Sequence, residues 1–336
     1  MVAITQGSVV AGKYRLHRPL GEGGMGAVWV ARHIRRETNV AVKLLHTNPS
    51  TAGDVRPRFE REARTSAMLQ SPHVVQVFDY GVEEGMPYLV MELLDGESLV
   101  ARLEREGRLS IPAAATILTQ ICRALHRAHE AGIIHRDLKP SNLFLARHDD
   151  GEVVKVLDFG IAKAMESELA GAFAAAGISA EMPYYMSPEQ VGGAKSVDFR
   201  SDLWSLAVIL FRALTGQLPF PGDDVAQVIH RISVDPIPVP SHLAPDLSPE
   251  VDRFFARALS RDARRRFQSA LAFGETFGVI AGAREQSARR NTPPDRPESP
   301  ASPERSAPPP SPLQVAAAMA AAGAVILGIV VAAVTL

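Results

Sequence analysis

Eight consecutive residues, His135-Arg136-Asp137-Leu138-Lys139-Pro140-Ser141-Asn142, place a carboxylate, cations and an amide directly after the apolar run Gly132-Ile133-Ile134. A stretch so polar behind a buried segment contributes little packing and points to chemistry. Asp158-Phe159-Gly160 follows, at the end of the strand-like run Val153–Leu157. A carboxylate ending an apolar strand, with the amide oxygen of Asn142 as a second ligand, suits the hard-oxygen demand of Mg2+. Near the start of the chain lies Gly21-Glu22-Gly23-Gly24-Met25-Gly26-Ala27-Val28. A dinucleotide-binding turn shows the same glycine spacing but opens a helix, whereas Ala27-Val28-Trp29-Val30 is strand-like. A glycine hairpin between strands instead lets backbone N–H groups lie over phosphates with no Cβ in the way. A plain glycine-rich turn is the other reading.

Val40-Ala41-Val42-Lys43 puts a lysine on the next strand-like segment, at a distance from the glycines that suits pairing with phosphates. It needs a carboxylate to hold it, and the helical segment Arg56–Leu69 offers Glu60 and Glu62. Residues two apart on a helix point about 200° apart, so only one can face the lysine. Glu62 neighbours the expected buried stripe of Phe59 and Ala63 and is the expected partner. Because Lys43 is expected to touch phosphates and not the core, its replacement should leave thermal stability unmoved.

These residues need positioning elements, and the pattern supplies them. Tyr14–Leu20, Ala27–His33, Asn39–Leu45, Val74–Tyr80 and Met86–Leu93 read as strands, with the Arg56–Leu69 helix among them. Beyond Gly96 the helical period dominates, at Ile111–Ala131, Arg200–Thr215, Ala226–Ile232 and Pro249–Leu259. A small β-rich part before a larger α-rich part is an α+β, two-lobed layout. The composition, 46% apolar and 22% charged, can bury such a core, and 36 Lys and Arg against 37 Asp and Glu argue against a nucleic-acid binder relying on bulk charge. The lone Cys122 excludes an intramolecular disulfide framework and reads as a buried apolar residue. His126 and His129, three apart on a helix, lack a third metal ligand nearby.

The C-terminal end differs in kind. Asn291–Pro312 carries nine prolines and reads as part of a disordered linker, taken as 283–312. Val315–Leu336 holds 22 residues without a charge, so 313–336 is expected to be a membrane-spanning helix. Arginines cluster on its N-terminal side, which by the positive-inside bias leaves the large domain cytoplasmic on a plasma membrane. No cleaved secretory signal is expected at Met1–Lys13, and no sensor domain beyond Leu336.

Taken together, the motifs resemble those of the bacterial Hanks-type Ser/Thr protein kinases over Tyr14–Phe277. The resemblance implies a kinase fold with an N-lobe at 14–94 and a C-lobe at 95–282. It implies ATP and Mg2+, with Mn2+ as a substitute, and protein substrates; a homodimer is left open. Lys43 and Glu62 would align ATP, Asp137 would accept the substrate hydroxyl proton, and Lys139 would offset charge on the phosphoryl group. Asn142 and Asp158 would hold the metal. Leu20, Gly21, Glu22, Gly23, Gly24, Met25, Gly26 and Ala27 would bind ATP, with Gly21, Gly23 and Gly26 forming the loop over its phosphates. Val28, Ala41 and Phe144 would sandwich adenine, with Met91, Glu92 and Leu94 in the hinge. Glu189 and Arg266 would form a buried ion pair, and Asp202 is a C-lobe anchor. Two departures stand out. Glu181-Met182-Pro183 replaces the family's Gly-Thr-Pro, and no threonine occurs between Gln120 and Leu214, which leaves Ser167 and Ser179 as nearby hydroxyls. A non-catalytic kinase-like scaffold is the alternative those departures support.

Overall fold

The computed structural model describes residues 4–23, 26–45, 52–159, 182–194 and 197–291. The expected membrane span at 313–336 and the segment holding Ser167 and Ser179 lie outside them. Contacts divide the chain into Met1–Ala288 and Arg289–Leu336; of the second, only the helix end at 289–291 is described.

Alternating Val, Ala and aromatic residues build an antiparallel sheet from β1 (Val9–Val10), β2 (Tyr14–Gly23), β3 (Gly26–His33), β4 (Asn39–Leu45), β5 (Val77–Glu83) and β6 (Met86–Glu92), in the order β1-β2-β3-β4-β6-β5. Helix α1 (Ala52–Met68) buries Phe59 and Ala63 against one face of it, together with Ala41, Leu45, Leu89 and Met91. On the other face the N-terminal segment contributes Val10, which clusters with Tyr14 and Leu16 of β2 and Tyr88 of β6. The expected strand at Val74–Tyr80 begins at Val77 instead. Val74 and Val75 are tied to Val156, through an isolated bridge and a 3.0 Å backbone bond, outside either sheet.

A second sheet, β7 (Gly96–Ser98), β8 (Leu143–His148) and β9 (Gly151–Val156), opens the helical lobe. Ser98 caps α2 (Leu99–Glu106), a helix too short to stand out from the periodicity, and Ser110 caps α3 (Ile111–Glu130). Two short turns follow, α4 (Met182–Tyr185) and α5 (Pro188–Val191). Then comes α6 (Arg200–Thr215), buried on nearly every side and therefore the centre of the lobe. Helices α7 (Val225–Val234), α9 (Pro249–Ala258) and α10 (Ala270–Asn291) join it in one apolar core with α3, while the short α8 (Pro240–Leu243) lies outside that core. Cys122 lies in that core. Helix α10 continues to Asn291, past the point where the linker is expected to begin. Its last ten residues are mostly helix formers, and the first proline comes only at 293. Among the described residues no helix is long and apolar enough to cross a membrane.

Candidate active site

Three backbone devices set the polar loop between α3 and β8. His135 N–H and Arg136 N–H donate to the two carboxylate oxygens of Asp202, each at 2.9 Å, and His129 Nε2 lies 2.8 Å from the same carboxylate. Asp202 is fully buried at the start of α6, so the central helix anchors the loop directly. On the other side, Leu157 is gripped twice. Its N–H donates to Asn142 O at 2.9 Å, and its carbonyl meets His135 Nε2 at 2.7 Å. Arg136 and Asp158 both sit in the left-handed backbone region, with φ of 67° and 59°. Such strain costs on the order of 1–3 kcal/mol for a residue with a Cβ and persists only where its surroundings over-determine it. For Arg136 they do, because its carbonyl also accepts Gln190 Nε2 at 2.8 Å.

The loop thereby groups the reactive side chains. Asn142 Nδ2 donates to Asp137 O at 2.8 Å and to Asp137 Oδ2 at 3.3 Å, and Lys139 Nζ lies 3.4 Å from that same Oδ2. Asp137 is thus held through one carboxylate oxygen, and the amide oxygen of Asn142 takes no part in these bonds. Lys43 Nζ crosses from β4 to Asp158 Oδ2 at 2.7 Å. Burial opposes charge on Asp158, but the charge and hydrogen bond of Lys43 outweigh it, and His135 and Lys139 add to the effect. Its carboxyl therefore sits below the ordinary carboxylate range. A carboxylate kept ionised beside an amide oxygen is a donor set that fits Mg2+.

Among the described residues, Lys43 pairs with Asp158, and no ion pair joins it to the expected Glu62. Glu62 meets Arg61 of its own helix at 3.2 Å, while Lys43 lies 2.7 Å from Asp158. Helix α1 instead reaches the site through Ser66, whose hydroxyl donates to Phe159 O.

The glycine segment is a hairpin, with Gly21 opposite Val28, Glu22 opposite Ala27 and Gly23 opposite Gly26; Gly24 and Met25 lie outside the described residues. Gly26 has φ of 145°, and a Cβ there would fall 1.9 Å from Leu44 O, so only glycine fits. Leu20, at a bulge in β2, is 46% exposed. Val28, Ala41, Met91 and Leu94 share one apolar cluster. Phe144 sits on β8, in register with Lys155. The Glu92 carboxylate is engaged by Lys155 Nζ and by Gln76 N–H, both at 2.8 Å, so any contact of Glu92 with a base edge falls to its backbone. Farther out, Arg266, with its side chain wholly buried, forks onto Glu189 at 2.8 and 2.7 Å, as expected. The roles of Gln190, Ser66 and Lys155 left no signature in the sequence, because each depends on a neighbour far along the chain.

The protein kinase domain model matches residues 14–277. Similar proteins include the serine/threonine-protein kinase Pkn1 of Myxococcus xanthus, 39% identical over 287 residues, covering 85% of this chain and 41% of that protein. The serine/threonine-protein kinase PknA of Mycobacterium tuberculosis is 38% identical over 293 residues, covering 86% and 66% respectively. The crystal structure of the Mycobacterium tuberculosis PknI kinase domain superposes with a TM-score of 0.65 at 29% identity, covering 83% of this chain and all of that one. The chain belongs to the protein kinase family. It spans well under half the length of Pkn1 and about two thirds of PknA.

Proposed function

We propose that the chain is an ATP- and Mg2+-dependent serine/threonine protein kinase that transfers the γ-phosphoryl group to protein hydroxyls in bacterial signalling. The observation that carries this reading is the grouping of Asp137, Lys139, Asn142, Asp158 and Lys43 at one junction between the lobes. Asn142 and Asp158 would hold Mg2+, which supplies charge neutralisation at the phosphates. Asp137 takes the proton of the attacking hydroxyl on the carboxylate oxygen not used by Asn142 and Lys139. Lys139, beside it, offsets negative charge on the transferring group. Lys43, already at the Asp158 carboxylate, is placed to orient phosphates, while Val28, Ala41, Met91 and Leu94 supply apolar contact to the adenine and Phe144 its floor.

The charge pattern of the linker and the apolar segment 313–336 support a single-pass anchor in the plasma membrane with the kinase domain cytoplasmic. The resemblance supports protein substrates, and the balanced charge argues against nucleic acid as a partner. The decisive experiment is phosphorylation with labelled ATP and Mg2+, using Asp137→Asn as control. Incorporation by the parent chain and none by the variant is expected; equal incorporation would refute the assignment, and none by either would favour the scaffold reading.

A further inference from the structure

Lys155 has no part in the proposed transfer chemistry, yet it is placed where a lysine is costly. It lies on β9 between Val154 and Val156, both wholly buried, and is itself only 9% exposed. A buried lysine is tolerated where it is paired. Its partner is Glu92, 63 residues earlier at the end of β6, with Nζ to Oε1 at 2.8 Å. The same Oε1 accepts Gln76 N–H at 2.8 Å, and Glu92 N–H donates back to Gln76 O at 3.0 Å. Glu92 is therefore fixed by side chain and main chain at the crossing between lobes.

The neighbours of Lys155 give this clamp a direction. Across the β8–β9 ladder it faces Phe144, so the two side chains share one face of the small sheet. Three residues farther along the chain stands Asp158. One segment thus holds the hinge at residue 92, borders Phe144, and delivers the carboxylate expected to meet the metal.

We propose that Lys155 is a positioning residue of the nucleotide site, which fixes the hinge backbone through Glu92 and sets its register against Phe144 and Asp158. The proposal rests on the reading of the site as a nucleotide site. Lys155 touches no reacting atom, so its loss should act on nucleotide affinity and not on the phosphoryl-transfer step.

The full chain tests this with Lys155→Met and Lys155→Arg, read by ATP titration of phosphorylation, calorimetric ATP binding and amide hydrogen exchange. Lys155→Met should raise the KM and the Kd for ATP about ten-fold, with kcat within about two-fold of the parent. Exchange at the Gln76 and Glu92 amides should quicken about ten-fold, since their ladder loses its anchor. Lys155→Arg, which keeps the charge, should recover most of the affinity. Adding Glu92→Gln to Lys155→Met should weaken ATP binding no further, because the two residues act as one unit. Unchanged affinity and unchanged exchange in Lys155→Met overturn the proposal, as does a fall in kcat at constant KM. If Lys155→Met fails to fold, Lys155→Gln is held to the same criteria. Should the parent chain bind no ATP, the nucleotide-site reading fails, and exchange at Gln76 and Glu92 still decides the clamp.

Discussion

Replacing Lys43 by methionine should abolish phosphoryl transfer and also lower stability, the second effect being one the sequence argues against. The structure places the ammonium 2.7 Å from Asp158, with side-chain exposures of 12% and 19%. A hydrogen bond between charged groups contributes about 1.5–3 kcal/mol, and a buried charge stripped of its partner costs about 3–5 kcal/mol. Lys139 and His135 remain near Asp158 and reduce that penalty, so a net loss of about 2 kcal/mol is expected. For a domain of this size that corresponds to a fall in Tm of about 5 °C. The pH dependence gives a second handle. The folded value of Asp158 lies below its unfolded one, so its contribution is complete above the unfolded pKa and disappears as pH falls through the folded value. Lys43→Met removes the main cause of that depression, and the gap in Tm between parent and variant should narrow as pH drops from 6 toward 3. Calorimetric melts without nucleotide, at several pH values, measure both quantities. A variant that melts with the parent at pH 7, or a gap that widens in acid, would refute the reasoning.

Arg266→Met should lower stability by about 4 kcal/mol, because it strands the Glu189 carboxylate and leaves the carbonyls of Ser260, Arg200 and Arg261 without their donor; urea titration reads it. Burial opposes charge on Glu189 but the bonds from Arg266 and Ser201 prevail, so this stability is present above the usual glutamate pKa and is lost as pH falls below it. Gly26→Ala should cost about 2–3 kcal/mol and weaken ATP binding, since the new Cβ collides with Leu44 O; equal melting and affinity would count against the hairpin geometry. Met182→Thr should raise kcat about ten-fold with little change in the KM for ATP, if a threonine hydroxyl there can bond Asp137 and Lys139; a fall in kcat refutes it. Deleting 313–336 should yield an active chain that purifies without detergent, and loss of activity would argue that the segment belongs to the core.

The sequence by itself determined the local elements and the chemistry available to them. Strand β4 and helix α6 fall at the bounds the pattern implies, Asn39–Leu45 and Arg200–Thr215, because alternation and helical period are properties of neighbouring residues. The residue types around Asp137 and Asp158 already specified oxygen ligands, a carboxylate and a nearby cation. Tertiary structure decided which groups meet. Lys43 and Asp158 are 115 residues apart, and their ion pair had no counterpart in the sequence pattern, which pointed to Glu62. Val74 and Val75 have strand character, but an isolated bridge and a backbone bond to Val156 take them out of β5. Asp202, a bare anchor in the sequence, fixes the catalytic loop by accepting two backbone N–H groups that no side-chain pattern reveals. Partner choice of this kind is settled by distance, burial and backbone direction across the junction of the lobes, and those quantities exist only once the chain is folded.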